Sequence, residues 1–146
     1  MIRSAYAPLA KMGLRFVGTW QEVDTTRSRV SHVECFLAEL GERVVGTVCL
    51  YTDGREGDPP LYREEDVAFF GQLAVAPDLQ KLGLGSRLIE HAAERARVLG
   101  MRRLALDTAE DAGHLVAYYS RHGFSIVGYH DWGETNYQSV VMSRTL

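Results

Sequence analysis

The segment QKLGLGS, residues 80–86, has the residue types and spacing of an anion-binding turn. It follows an apolar run and precedes a stretch with helical periodicity, so its amides would lie at the positive end of a helix. Gly83 and Gly85 can adopt positive φ and carry no Cβ, which lets the backbone approach a ligand closely. With the added charge of Lys81, the segment predicts a phosphate or pyrophosphate site. The alternative is an ordinary strand-to-helix turn, since QxxGxG is neither a GxGxxG fingerprint nor a Walker loop.

The elements on either side must hold this turn in place. Residues 67–75 are apolar on both pleat faces, which is typical of a central strand, and Pro77 ends that strand. Residues 85–99 carry an apolar stripe opposite a charged face and predict a helix that stops at Gly100. A strand at residues 102–107 follows. Strand, helix and strand at this spacing predict a parallel pair with a right-handed crossover.

The remaining segments predict hairpins and further helices around this unit. Strands at residues 33–40 and 43–51 form a hairpin closed at Gly41-Glu42, and an exposed loop rich in Gly, Pro and charge follows. The other predicted elements are a helix at 2–12, a helical piece within 19–30, a short helix ending at Gly123, and closing strands at 125–129 and 136–143. The fold class is therefore α+β, with a mixed and mostly antiparallel central sheet flanked by helices in one domain spanning residues 1–146.

The two cysteines are expected to be buried, reduced thiols. A two-residue hairpin turn pairs positions whose numbers add to an odd value, so Cys35 and Cys49 would face opposite sides of the sheet. In that register they could not form a disulfide without a bulge. Small buried thiols are also the commonest state of unpaired cysteine.

The composition limits the kinds of partner that we expect the protein to bind. The chain is 46% hydrophobic and 24% charged with a formal net charge of −3, and basic and acidic residues alternate along it. No polybasic stripe indicates nucleic acid or an anionic membrane as partner. The N-terminal residues lack the apolar core of a secretory signal, and no apolar run is long enough to cross a bilayer. We therefore expect a cytoplasmic protein with a small-molecule substrate.

Two motifs resemble one family. LAVAPDLQKLGLGSRLI resembles the acetyl-CoA signature of the GCN5-related N-acetyltransferases (GNAT), in which an apolar strand, a Pro-containing turn and Q/R-x-x-G-x-G/A precede a helix. AYYSRHGFSIVG resembles the family's later segment, where a tyrosine precedes a Gly-Phe pair by four residues, here Tyr119, Gly123 and Phe124. The resemblance implies the GNAT acyl-CoA N-acyltransferase fold. Relatives usually open with a strand, whereas this sequence begins almost inside a predicted helix. The strand is therefore expected to be missing and strand 33–40 to be an exposed edge, on which we base a homodimer hypothesis.

The resemblance also implies where acetyl-CoA binds. Strand 67–75 is expected to separate from strand 103–107 at a bulge, with the pantetheine arm in the gap and a backbone N–H near Leu73 polarising the thioester carbonyl. The turn amides are expected to hold the pyrophosphate, and no metal is required. The implied cofactor-binding residues are Leu73, Ala74, Val75, Gln80, Lys81, Leu82, Gly83, Leu84, Gly85 and Ser86.

Tyr119 is the candidate catalytic residue. Direct attack by an amine expels a thiolate, and a phenol with an ordinary pKa of about 10 can return a proton to that sulfur. The alternative is a core aromatic; the neighbouring Tyr118, about 100° away around the helix, fits a core role better. His114 and His122 are expected to be capping or surface residues.

The base that deprotonates the amine is left open by the sequence. Many relatives carry a glutamate on the strand before the pyrophosphate turn, and an asparagine before the tyrosine helix, but FFGQ and TAEDAGH stand there. Loop carboxylates could reach a bound amine, although each is better explained as a solvated charge: Glu64, Glu65, Asp66, Asp131 and Glu134.

The expected function is N-acetyl transfer from acetyl-CoA to a primary amine by direct attack in a ternary complex. The acceptor is a small-molecule amine or a peptide amine, which carboxylates and aromatic faces could receive. The candidate aromatic residues are Trp20, Tyr62, Tyr129, Trp132 and Tyr137. The alternatives are a non-catalytic acyl-CoA-binding sensor and a partner-binding domain in which the glycines serve only the turn.

Overall fold

A computed structural model describes all residues from 1 to 146 and shows helices packed around one mixed sheet. The strands are β1 (Glu34–Leu40), β2 (Arg43–Tyr51), β3 (Val67–Val75), β4 (Arg103–Ala109), β5 (Ser125–His130) and β6 (Ser139–Thr145). The helices are α1 (Ile2–Lys11), α2 (Val17–Trp20), α3 (Val23–Val30), α4 (Leu84–Val98) and α5 (Gly113–Arg121). Short 3₁₀ turns lie at Pro60–Arg63 and Pro77–Leu79. The α+β prediction is confirmed.

The sheet has six strands in the order β1-β2-β3-β4-β6-β5. β3 and β4 are parallel and joined through α4, as predicted, and every other neighbouring pair is antiparallel. β1 is an edge strand, also as predicted, because the elements before it are the helices α1–α3. None of the helices has the length and apolar composition that crossing a bilayer would require.

The main core lies between α4 and one face of the sheet. The apolar stripe of α4 is buried against alternate residues of β2, β3, β4 and β6, and α5 and Phe124 close its end. The apolar residues of α4 recur with the helical period and those of the strands alternate, and both patterns place apolar side chains on this face. Burial therefore determines which side of each strand faces the core. The buried α4 residues are Leu88, Ile89, Ala92, Ala93 and Ala96.

The opposite face of the sheet carries smaller apolar clusters. Leu9 of α1 packs with Leu14 and Phe16 against the end of β4. Tyr62, from the 3₁₀ turn Pro60–Arg63, packs on Val67 and on neighbouring residues of β4 and β6. Because only short helices and a loop cover this side, its polar residues can face a substrate.

The prediction for the cysteines is wrong: Cys35 and Cys49 form a disulfide. The turn at Gly41-Glu42 is the predicted one, since Leu40 pairs with Arg43. A bulge between Ala38 and Glu39, however, shifts the register by one residue, and Cys35 then lies directly opposite Cys49. An inserted residue moves every later side chain of that strand to the other face. The pairing rule for a two-residue turn assumes that no residue is inserted, so it predicted the wrong faces for the cysteines.

Candidate active site

The two parallel strands separate partway along their length. β3 and β4 pair only where Val67–Phe69 lie beside Arg103–Ala105. Beyond this point β3 bends away, because its register with β2 shifts by one residue and Gln72 adopts a φ of 53°. A positive φ at a residue other than glycine costs energy and is concentrated at functional sites. The predicted separation at a bulge is confirmed, and it leaves one side of β3 without a neighbouring strand.

Side chains contact three backbone carbonyls of this part of β3, which still pairs with β2 on its other side. Tyr6 of α1 donates a hydrogen bond to the Leu73 carbonyl at 3.1 Å, so α1 is fixed over the gap between β3 and β4. Thr47 donates to the Gln72 carbonyl at 2.6 Å, and the Gln80 amide donates to the Val75 carbonyl at 3.1 Å. Of these side chains, only Tyr6 comes from α1.

The turn before α4 fits a diphosphate. Gly83 is the N-cap of α4 with a φ of 84°, and no side chain caps the helix. The first amides of α4, from Leu84 onward, therefore have no intrahelical acceptor and remain free for an anion. A Cβ added at Gly83 would have no neighbouring atom within 4 Å, so the space in front of the turn is open. Lys81 is exposed beside it, also at a positive φ of 65°.

Gly85 serves this turn for a different reason from the one predicted. It lies inside the first turn of α4 rather than at positive φ. An added Cβ would lie 2.8 Å from the Tyr118 hydroxyl, so the missing side chain makes room for α5. Tyr118 packs against the main core, as expected, but its hydroxyl reaches the beginning of α4.

His122 joins the same two helices. Its Nε2 lies 2.8 Å from the Ser86 hydroxyl, and its Nδ1 lies 2.8 Å from the Tyr118 carbonyl. The hydroxyl of Ser86 is thereby engaged within the protein, which leaves its backbone amide for a ligand. The expected structural role of His122 is consistent with these contacts, and His114 is exposed.

Tyr119 lies on α5, half-buried against the main core. Its ring makes edge contacts with Phe70 of β3 at 6.1 Å and with Phe124 at 6.3 Å. Burial raises the pKa of the Tyr119 hydroxyl far above its ordinary value, with smaller contributions from Tyr6, Tyr118 and Asp107. The phenol therefore stays protonated across the physiological range, as a proton donor must be.

Asp107 is the carboxylate that sequence reasoning missed. It lies on β4 two residues beyond the last pair with β3 and accepts hydrogen bonds from Tyr62 at 2.8 Å and Trp132 at 2.9 Å. Burial raises the pKa of Tyr119 most, Tyr6 and Tyr118 follow, and the charge of Asp107 raises it further. The available signal was an acidic residue inside the apolar strand RRLALD, where a charge requires partners.

The loop carboxylates considered as bases form ion pairs or hydrogen bonds with other groups, or are exposed. Glu64 and Asp66 both bind Arg103, which ties the loop before β3 to β4. Asp131 accepts a hydrogen bond from the Gly133 amide within its own turn at 2.8 Å. Glu65 and Glu134 are exposed. These contacts and exposures agree with the alternative that each loop carboxylate is a solvated or structural charge and not the base.

The predicted aromatic residues are brought together only in part. Tyr62 and Trp132 bind Asp107, and Tyr137 packs on Phe16 at 4.7 Å below α1. Trp20 lies under the Arg15 guanidinium instead, and Tyr129 is 55% exposed on the edge strand β5. The aromatic residues that contact Asp107 thus come from the loops that precede β3 and β6.

Comparisons with known proteins agree with this geometry. A family model described as the acetyltransferase (GNAT) family matches residues 10–124. S-(2-succino)cysteine N-acetyltransferase from Bacillus subtilis (strain 168) is 28% identical over 145 residues, which are 97% of this chain and 84% of that protein.

Solved structures share the fold at lower identity. A GNAT family acetyltransferase from Elizabethkingia anophelis with acetyl-CoA bound superposes with a TM-score of 0.67 at 17% identity, over 86% of this chain and 84% of that one. N-acetylglutamate synthase from Neisseria gonorrhoeae, complexed with coenzyme A and N-acetyl-glutamate, gives a TM-score of 0.69 at 21% identity, over 99% of this chain and 32% of that one.

The chain belongs to the acetyltransferase (GNAT) family. It is an N-acetyltransferase with acetyl-CoA as the acetyl donor, as the sequence motifs implied. The comparisons favour this enzyme over an acyl-CoA sensor or a partner-binding domain.

Proposed function

We propose that the enzyme acetylates the primary amine of a small molecule by direct attack, with Asp107 as base and Tyr119 as acid. The observation that carries the proposal is that both residues lie beside the end of the β3–β4 pairing: Asp107 is two residues beyond it on β4, and Tyr119 of α5 packs on Phe70, the next residue of β3. One group can accept a proton and the other can donate one, and direct acyl transfer to an amine needs both steps.

The donor would lie along the turn and the free side of β3. Acetyl-CoA supplies an acetyl group activated as a thioester. The free amides at the beginning of α4 would hold its pyrophosphate beside Lys81, and the separated part of β3 would bind the pantetheine arm through backbone groups. The proposed binding residues remain Leu73, Ala74, Val75, Gln80, Lys81, Leu82, Gly83, Leu84, Gly85 and Ser86.

The proton balance of the reaction follows from the same groups. Asp107 binds the ammonium form of the acceptor and removes one proton, which frees the nitrogen lone pair. The nitrogen forms a bond to the acetyl carbon while the carbon–sulfur bond breaks and its electron pair goes to sulfur. Tyr119 Oη gives its proton to that sulfur. The phenolate then takes the second proton from the acetylated nitrogen, which leaves a neutral amide, and Asp107 releases the first proton to solvent. A backbone N–H near Leu73 would stabilise the charge on the thioester oxygen.

The covering of the acceptor side supports a small substrate rather than a protein. The bond from Tyr6 to the Leu73 carbonyl fixes α1 above the gap. The relative that spans nearly the whole chain is named for a cysteine conjugate. A peptide amine is the second candidate acceptor, because the sequence by itself favours neither a small-molecule amine nor a peptide amine.

An acceptor screen that measures released CoA thiol tests the proposal. Amino acids, cysteine conjugates, polyamines and N-terminal peptides are offered at equal concentration, each with a blank without acceptor. We expect turnover with small primary amines and N-acetylated products by mass spectrometry. Turnover confined to peptides, or O-acetylated products only, would contradict the proposal.

Three further expectations belong with this function. We propose that residues 1–146 act as one catalytic domain in the cytoplasm. We also propose a homodimer, for which the exposed edge of β1 is the available surface. A mass corresponding to the monomer by light scattering at high protein concentration would count against the dimer.

A further inference from the structure

Gln72 is a strained residue at the point where β3 bends. Its φ of 53° is unusual for a residue other than glycine, and it lies where the register between β2 and β3 shifts. A backbone conformation of this kind persists only where neighbouring groups hold it. Gln72 is 5% exposed, so those groups come from the protein itself.

Two contacts hold Gln72, one at its backbone and one at its side chain. The Thr47 hydroxyl donates to the Gln72 carbonyl at 2.6 Å. The Gln72 amide lies against the Arg29 guanidinium and, with its oxygen turned toward the arginine, accepts hydrogen bonds from it, the shortest at 2.6 Å. Together these contacts restrict rotation of the backbone between the side chain and the carbonyl.

Arg29 is itself fixed by a second buried amide. Its Nη1 donates to the Gln21 side-chain oxygen at 2.8 Å, and the Gln21 nitrogen donates to the Thr26 hydroxyl at 2.8 Å. Gln21 is 2% exposed. Because a guanidinium is planar and presents its N–H groups in fixed directions, it can bind two amides in a defined arrangement. Arg29 thus links α3 to the bend of β3 through oriented hydrogen bonds.

Ion pairing does not explain the placement of Arg29. The ion pairs of the protein use other arginines: Arg3, Arg27, Arg43, Arg95, Arg97, Arg103 and Arg144. Arg29 is half-buried, where a charge without a carboxylate partner is costly. The contacts that this position provides are those with Gln21 and Gln72.

We propose that Arg29 is a positioning residue, which holds Gln72 at positive φ and thereby directs the backbone N–H that follows toward the thioester oxygen of acetyl-CoA. This inference rests on the proposed function, in which a backbone N–H near Leu73 stabilises charge on that oxygen. Such a donor acts mainly in the transition state, so its misplacement lowers kcat and leaves KM for acetyl-CoA nearly unchanged. Arg29 acts only through Gln72 and contacts no reacting atom.

R29Q is the first test, with acetyl-CoA and the amine of highest turnover in the acceptor screen. Its kcat should fall by about 10- to 100-fold, below the roughly 10²- to 10³-fold cost of removing an oxyanion donor altogether. R27Q is the matched control on the same helix, since Arg27 is 73% exposed and binds Asp24 instead. Wild-type kcat in folded R29Q, or a loss confined to KM for acetyl-CoA, would overturn the inference while leaving amine acetylation intact.

Replacement of Gln72 by glycine separates positioning from a general structural role of Arg29. Glycine adopts positive φ without a steric penalty, so its backbone does not need the arginine. The kcat of R29Q/Q72G should therefore equal that of Q72G within a few fold and exceed that of R29Q by about 10-fold. An equal loss from R29Q in both backgrounds would show that Arg29 acts independently of Gln72 and would overturn the proposal.

Q72M guards against a folding defect in R29Q. Methionine keeps the length of the side chain but has no amide for Arg29 and does not favour positive φ, so kcat should fall as in R29Q. Stabilisation of each variant by acetyl-CoA in thermal unfolding shows that it is folded and binds the donor. Wild-type kcat in folded Q72M would contradict the inference. Absence of CoA release from the wild type with every amine would instead overturn the proposed function.

Discussion

The indole nitrogen of Trp132 donates a hydrogen bond of 2.9 Å to Asp107 Oδ2. Trp132 lies in the loop between β5 and β6, far from Asp107 along the chain. Tyr62 donates a second hydrogen bond to the same carboxylate, so both of its donors are neutral. No arginine or lysine forms an ion pair with it. A carboxylate without a cationic partner in the protein can form an ion pair with the ammonium group of a substrate.

Replacing Asp107 should therefore remove the base. We expect kcat/KM of D107N to fall by about 10²- to 10⁴-fold with the best amine acceptor, because asparagine preserves shape but accepts no proton. D111N is the control, since Asp111 is an exposed carboxylate just beyond the end of β4. Steady-state kinetics of CoA release measure both. Wild-type kcat/KM in D107N would show that water or the bulk solvent removes the proton.

Tyr119 should act on turnover rather than on binding. Y119F keeps the ring contacts with Phe70 and Phe124 but removes the donor, so kcat should fall by about 10²- to 10⁴-fold with KM for acetyl-CoA nearly unchanged. Tyr118 is a poor control because its hydroxyl lies beside Gly85. Y129F, on the exposed edge strand, should retain full activity. If Y119F turns over at the wild-type rate, the phenol only packs.

The pH profile should lack an alkaline limb in the accessible range. The protonated phenol is the active form, so activity is lost only as pH rises through its pKa in the folded protein. Burial raises that pKa far above the ordinary value of about 10. We expect kcat to stay level up to about pH 10. A fall with a midpoint near 10 that disappears in Y119F would contradict the burial of this hydroxyl.

Two glycines at opposite ends of α4 separate ligand binding from stability. Gly83 and Gly100 have φ values of 84° and 82°, and a Cβ at either would meet no atom within 4 Å. Alanine at either position should cost about 1 kcal/mol of the free energy of unfolding. Only G83A should raise KM for acetyl-CoA, since its methyl group would stand in the turn that we propose binds the pyrophosphate. Equal KM values in both variants would refute the assignment of that turn.

The disulfide should stabilise the hairpin without affecting catalysis. Cys35 and Cys49 are 14 residues apart, and closing a loop of this length is worth about 3 kcal/mol in the chain-entropy model. Urea unfolding with reductant should show a loss of about 2 to 3 kcal/mol, while kcat stays unchanged. A C35A/C49A variant, in which reductant has no effect, is the control. Loss of activity on reduction of the wild type alone would link the hairpin to the site.

The sequence by itself determined the local features. The central strand and α4 follow from apolar periodicity, and the turn before α4 follows from its glycines, because each depends on residues within one short segment. The strand–helix–strand order likewise predicts the parallel pair of β3 and β4. The tyrosine motif placed Tyr119 on a short helix for the same reason.

Only the tertiary structure decided what distant segments do together. The bulge between Ala38 and Glu39 is set by packing along the hairpin, and one inserted residue was enough to turn two expected thiols into a disulfide. Asp107 gained its importance from Tyr62 and Trp132, which come from loops on either side of it in the sequence. Arg29 and Gln72 meet across the sheet face. Such contacts depend on burial and charge in three dimensions, and spacing along the chain does not encode them locally.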